Sequence, residues 1–516
     1  MKKGLFLLFA WVVLAGQAAS AAQPAADDKP DAQLSALYEK AMALEGKLEL
    51  TRAEELYNEI VRRSDADRQW ALWRGARHGL RRVKRQRAEF TLTRAELEKK
   101  LAATFSDYKP AEFDQWEKRG WILSRVVDGK RGYSIMNPTN LCFFDTQMMA
   151  RHKSRAKGYR DFAQIFLDES ALLDRLRSES TVPRRSVAPM RFLLTYKVEI
   201  QQADLPPGKT VRAWLPYPLL TPAVQNIRTL SVVPDGALKH CPDVEGEIGI
   251  AYLEFDRPKK DDVVIEMKVA FHSYDTDYVI DADAIPSYDE QGELYRRFTR
   301  SEQQINLTEP LCELARSVVG REKNPYRKAR KLYDWVCDNV KYNFVWRWRD
   351  ATFTFGCASE EVRERRIGDC VIQSVFYAAL CRAVGVPARV CNGPIFPPGM
   401  RNDHVWAEVY FPKYGWAPVD VTYSEVASMV PGLSDAQRRR IRDFFFCRMD
   451  RYRFWTQRSD LVGELVPRKR SPRYTVTMFV RPELECGGQD VEKRKITWSC
   501  LPETPDAKTQ AGTPDS

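Results

Sequence analysis

Three short blocks of this chain hold the side chains of thiol chemistry. Asp369-Cys370 opens an apolar helical stretch, Asp403-His404-Val405-Trp406 follows, and Asp420 stands a few residues past Gly415-Trp416. They supply a thiol, an imidazole and a carboxylate, in that order. A thiol is mostly protonated at neutral pH, so a cysteine enzyme must make a thiolate. A helix N-terminus and a neighbouring imidazolium both lower a cysteine pKa. A carboxylate on the far side of the ring then fixes the tautomer and steadies the charge.

The surrounding residues say which elements would carry these groups. From Cys370 onward, Val371, Val375, Ala378, Ala379, Ala383 and Val384 recur at helical spacing. Gly385 falls where a helix C-terminal cap is expected, and Pro387 forbids continuation. Cys370 is therefore placed in a first turn, beside backbone amides that have no partner within the helix. Val386 to Cys391 reads as a short strand. Val405, Ala407, Val409 and Phe411 alternate with His404, Trp406, Glu408 and Tyr410, which favours another. Trp416, Pro418 and Asp420 share one face of the next strand, with Lys413-Tyr414-Gly415 as the turn. Adjacent antiparallel strands then set His404 and Asp420 side by side. A zinc site is the rival reading of Cys, His and Asp. There is no Cys-x-x-Cys pair and only one His follows Cys370, so metal-ligand spacing is poor, and neither metal nor cofactor is expected.

Gly368-Asp369-Cys370, Leu380 to Arg389, His404 to Val409, Gly415-Trp416 and Asp420 together resemble the core of the transglutaminase-like superfamily, over roughly residues 320 to 425. The resemblance implies a papain-like fold, with one catalytic helix packed on an antiparallel sheet. It implies Cys370 as nucleophile, His404 as general base and acid, and Asp420 as orienter. For the second oxyanion donor the sequence offers Tyr342, Trp346 or Trp348, beside the Cys370 amide. Each of these aromatics also reads as a core or surface residue. Trp406 is expected to pack the site and Arg389 to be structural.

Along the chain the fold class reads as α+β, the papain-like core being preceded by an antiparallel β-sandwich and an N-terminal helical region. Residues 1–22 carry Lys2-Lys3, an apolar run from Leu5 to Leu14 and Ala19-Ser20-Ala21, the pattern of a cleavable signal peptide. Gln17, not Cys, follows Leu14-Ala15-Gly16, which disfavours a lipid anchor. Residues 23–32 read as a linker. Residues 33–185 read as a mainly helical region with a hairpin near 121–135, marked by Asp128-Gly129. Its first part resembles a helical pair of the tetratricopeptide type, short of the three repeats that a solenoid needs. The β-sandwich is placed at 190–280, where Leu194, Tyr196, Val198 and Ile200 alternate with polar residues. The catalytic core follows at 300–430, with Asn324-Pro325 starting the helix that precedes it. Residues 431–501 read as a C-terminal extension of that core, with a strand marked by Tyr474, Val476, Met478 and Val480, and 502–516 as a frayed tail.

Composition narrows the partners. The chain has 81 basic and 70 acidic residues, net charge +11. Such a surface attracts anionic polymers, but no nucleic-acid module is present and export argues against that partner. No later stretch is long and apolar enough to span a membrane. The expected location is periplasmic or secreted. Besides Cys370 there are ten cysteines, which allow five bridges without demanding them. Cys486 and Cys500 flank one apparent hairpin and are the best pair. The function expected is an exported cysteine-dependent acyl-transfer enzyme, a protease, deamidase or crosslinking transglutaminase, acting on protein or peptide amides. The alternative is a catalytically silent scaffold that binds a protein or an envelope polymer.

Overall fold

A computed structural model describes residues 31–64, 69–179, 186–240, 243–344, 354, 357–458, 464–473 and 478–503. The expected signal peptide, most of the linker, most of the tail, Trp346, Trp348 and the Tyr474–Val476 part of a proposed strand lie outside these residues. The chain divides into two compact units, one of residues 1–141 with 345–355, the other of 142–344 with 356–516.

The first unit is mainly helical. Helices α1 (Ala32–Gly46), α2 (Leu50–Arg63) and α3 (Trp70–Glu89) bury Ala41, Leu44, Ala53, Tyr57, Ile60, Ala76 and Val83 together. Gly79 of α3 sits where any Cβ would collide with the Tyr57 ring, so the close approach of α2 and α3 requires glycine there. A buried polar clamp accompanies this core. Glu45 accepts bonds from both Arg82 and Gln86, and its second oxygen takes Arg82 again and the Tyr57 hydroxyl. Helices α4 (Arg94–Thr104) and α5 (Pro110–Lys118) follow, the first started by a Thr93/Glu96 capping box. Strands β1 (Ser124–Val127) and β2 (Lys130–Tyr133) form the expected hairpin, with Asp128 and Gly129 both at positive φ in its turn. Helix α6 (Asn137–Asn140) ends the unit.

In the second unit, α7 (Thr146–Arg151) and α8 (Ala156–Glu179) lead into the β-region. One antiparallel sheet contains β3 (Ser186–Ile200), β5 (Val224–Val233) and β7 (Val263–Asp277); another contains β4 (Thr210–Pro216) and β6 (Ile250–Asp256). Phe192, Leu194, Tyr196, Val198 and Ile200 of β3 are all buried, as their period of two requires. Helices α9 (Glu293–Thr299), α10 (Glu309–Val319) and α11 (Pro325–Asn339) follow, the last capped by the Asn324 side chain with Pro325 at its first position. Strand β8 (Lys341–Tyr342) pairs in parallel with β9 (Ile367–Gly368), after helix α12 (Ala358–Arg365). Helix α13 (Cys370–Ala383) packs on β10 (Ala388–Ile395) and β11 (Asn402–Phe411), which continue into β12 (Gly415–Val419), α14 (Val421–Ser428) and α15 (Asp435–Phe444). A helix on an antiparallel sheet is the expected α+β core.

The C-terminal segment departs from the reading of 431–501 as an extension of the core alone. Strand β13 (Arg448–Met449) pairs with β7, and β14 (Gln457–Arg458) joins the core sheet beside β10. Strand β15 (Glu483–Cys486) pairs with β4 and with β16 (Gln489–Asp490), whereas β17 (Lys495–Pro502) pairs with β3 along its whole length. Each of the three larger sheets is thus completed by strands from the C-terminal segment. Cys486 and Cys500 lie in different sheets and both are free thiols, so they do not form the expected pair. No disulfide links the described cysteines.

Candidate active site

The approach to Cys370 is built locally. Gly368 closes the short parallel pair with Tyr342, and a Cβ there would strike Ile372. Asp369 then caps α13, its carboxylate accepting from the backbone N–H groups of Val371 (3.1 Å) and Ile372 (3.3 Å). Cys370 is the first helical residue and is 9% exposed. At the far end Gly385 takes φ +76°, the left-handed conformation expected just past a helix end.

The strand side is joined to this turn by a hydrogen bond. Ser374, one turn beyond Cys370, donates from its hydroxyl to the carbonyl of Val405, the residue after His404 (3.1 Å). His404 lies on β11, opposite Gly393 of β10. Its Nε2 is 2.8 Å from Oδ2 of Asp420. With Asp420 ionised, the carboxylate can only accept, so Nε2 carries a proton in this contact. The Tyr423 ring lies nearly parallel to the imidazole at 4.2 Å and 11°. Cys370 is close enough to Tyr423 and to Tyr342 for its charge to be felt at both phenols.

Asp420 corrects one expectation. It is not a strand residue: β12 ends at Val419, and Asp420 is the N-cap of α14, its Oδ1 accepting from the Tyr423 N–H (3.1 Å). Continuing the β11–β12 register would set it opposite Trp406, so it reaches His404 diagonally, not directly across. Burial pushes its carboxyl pKa up, but His404 and Arg453 outweigh that and hold it at about 2. Arg453 donates to the same Oδ2 at 2.9 Å.

Arg453, Asp450 and Tyr423 were not singled out from the sequence. Nothing in the spacing of the run Arg448-Met-Asp-Arg-Tyr-Arg453 announces burial. Of the candidate oxyanion donors, Tyr342 is placed near Cys370, while its backbone N–H donates to Glu425 (3.1 Å). Burial raises the Glu425 carboxyl to about 8 against the pull of Lys341. Trp406 is fully buried and meets Trp455 edge to face at 4.9 Å, a packing role. Arg389 pairs with Glu408 (2.6 Å) and stacks over Trp416, also structural. Among the described residues no cluster of three or more His, Cys, Asp or Glu is arranged to hold a metal.

Residues 313–421 match the family model of the transglutaminase-like superfamily. In this segment the chain is similar to that superfamily and has a transglutaminase-like core. Its transglutaminase-like core holds Cys370, His404 and Asp420 but not Arg453, which lies beyond the matched residues. An uncharacterised protein of Haemophilus influenzae is 25% identical over 178 residues, covering 29% of this chain and 44% of that relative. The chain therefore spans less than half the length of this curated relative. A solved candidate cysteine protease from Cytophaga hutchinsonii is 16% identical, with 62% of this chain and 93% of that one covered at a TM-score of 0.39. The periplasmic domain of TgpA from Pseudomonas aeruginosa, solved with ethylmercury, is 14% identical, covering 51% and 94% at a TM-score of 0.20. No helix among the described residues is long and apolar enough to cross a membrane.

Proposed function

We propose that this chain is an exported, cysteine-dependent acyl-transfer enzyme acting on protein or peptide amides in the periplasm or outside the cell. The observation that carries the reading is the buried His404 Nε2–Asp420 Oδ2 contact of 2.8 Å, on a strand bonded to the first turns of the Cys370 helix. Nδ1 of His404 takes the Cys370 proton. The thiolate attacks the carbonyl carbon, and the Cys370 backbone N–H donates to the developing oxyanion. The imidazolium, steadied by Asp420, protonates the leaving nitrogen as the C–N bond breaks, leaving a thioester. Water then gives proteolysis or deamidation; a substrate amine gives a crosslink.

The test is the pH dependence of Cys370 alkylation by iodoacetamide, read by peptide mass spectrometry beside His404→Ala. Fast labelling below pH 7 that disappears in the variant is expected. A rate that rises only with the ordinary thiol pKa in both proteins refutes the proposal. One observation favours a silent scaffold as second reading: Cys370 is only 9% exposed, and a substrate carbonyl needs a path to it. Binding of a peptide or envelope polymer without thiol reactivity is the outcome that reading expects.

A further inference from the structure

A segment outside the transglutaminase-like match crosses the back of the His404–Asp420 pair. Residues 450–458 leave β13, on the sheet of β7, and end in β14, beside β10. Between them, Tyr452 O accepts from Phe396 N–H (2.8 Å) and Thr456 N–H donates to Asn392 O (2.9 Å), so the strap lies along β10. At Gly393, the residue opposite His404, a Cβ would run into the Phe454 carbonyl oxygen. Only glycine lets the strap pass there. It carries Arg453, 1% exposed, toward the buried side of Asp420.

Arg453 is held as a fork. Nη1 donates to Asp420 Oδ2 (2.9 Å), while Nε (3.1 Å) and Nη2 (2.5 Å) donate to Asp450 Oδ2. Its guanidinium also stands over Trp406 (5.1 Å) and Tyr423 (5.5 Å). The ionisable groups around it are thus Asp420 and Tyr423 from α14, Asp450 from the strap, His404 from β11 through Asp420, and Cys370 from α13 beyond Tyr423. A lone carboxylate with no exposed surface would be driven toward its neutral form. A neutral Asp420 no longer steadies an imidazolium.

We propose that Arg453 is a positioning residue that keeps Asp420 an oriented anion, and that Asp450 shares its charge so that the His404 imidazole is not deprived of the carboxylate. The role rests on the catalytic reading above only for its consequence; the charge arrangement is independent of it. A cation on Oδ2 competes with His404 for the same oxygen, and Asp450 draws part of that cation away. The tether between the β-region and the core thereby sets the acid limit of the site.

The experiment uses the full mature chain with 15N-labelled histidine, only five of which occur in the whole sequence. The Nε2-bound proton of His404, hydrogen-bonded to a carboxylate, is followed by NMR as pH falls, with Cys370 alkylation run in parallel. The parent is expected to keep this proton signal to below about pH 4. Replacing the pair together, Arg453→Met with Asp450→Asn, leaves no unpaired partner, and the signal and the alkylation limb are expected to move up by about one pH unit or more. Arg453→Lys retains a cation and is expected to restore most of the shift. If the double variant does not fold, Asp450→Asn alone gives Asp420 the whole guanidinium charge, and the loss of the His404 Nε2 proton signal is expected to move to lower pH. A folded variant of either kind with an unmoved His404 signal overturns the proposal. Slow alkylation of the parent, with the NMR shifts present, instead defeats the catalytic reading and leaves the role of Arg453 standing.

Discussion

Two buried ion clusters in this chain use the same parts and differ in one respect. In the helical unit, Glu45 is closed on all sides by Arg82, Gln86 and Tyr57. In the core, Asp420 is held by Arg453, the Tyr423 amide and His404. The first cluster spends every hydrogen bond on partners that cannot change charge near neutral pH. The second ends in an imidazole, a side chain that can take up a second proton. A buried carboxylate–arginine pair is weak evidence for stability and none for function; what distinguishes the core pair is the titratable group attached to it.

The contrast is broken most severely by substituting the thiol. Cys370→Ala is expected to abolish both casein cleavage and dansylcadaverine incorporation into casein, while the melting temperature stays near that of the parent. Next, Asp420→Asn is expected to lower turnover by about three to four orders of magnitude, as loss of an imidazole-orienting carboxylate does; retention of more than a tenth of the parent rate would exclude the assigned role. Glu45→Ala should act in the opposite sense. It leaves the alkylation rate of Cys370 unchanged but removes the buried carboxylate that Arg82 pairs with, costing about 3–5 kcal/mol in denaturant melts followed in the helical unit.

The smallest effects concern pH. Asp420 is held at about 2, below its ordinary 3.8, so its contribution is complete above about pH 4 and is lost as pH falls toward 2, on the order of 2 kcal/mol. Glu425 behaves inversely. Its carboxyl is raised from 4.5 to about 8, so its contribution is complete below about pH 4.5 and is lost as pH rises through 8. Glu425→Gln should therefore flatten the decline in stability between pH 5 and 8 without touching the acid limb, measured by urea midpoints across that range. An unchanged slope would show that Glu425 does not titrate there.

Much of the site was legible because its signals are local. The Asp369 cap, the apolar period of α13 and Gly385 at its end need only neighbouring residues, and the alternation along β11 needs only a pleat. Asp420 was found by residue type but assigned to a strand, because a period of two cannot distinguish the last strand residue from the cap of the next helix. The 431–501 segment was harder. Strand β17 pairs with β3 some three hundred residues earlier, and no periodicity records a partner at that separation. The same limit hid the partner of helix α8, a segment legible as helical, whose Phe162 and Phe166 pack against the Tyr423 ring beside His404.

By itself, then, the sequence determined the thiol, the imidazole and the carboxylate, the helix that starts at the thiol and the class of the fold, since residue type and short-range period encode each of these. Tertiary structure alone decided that two far cysteines stay apart, that Asp420 meets His404 on a diagonal, and that Arg453 belongs to the site. The reason is physical. Whether a charge is solvated or buried against another depends on which distant backbone passes beside it, and here that depends on a strap crossing a glycine opposite the histidine.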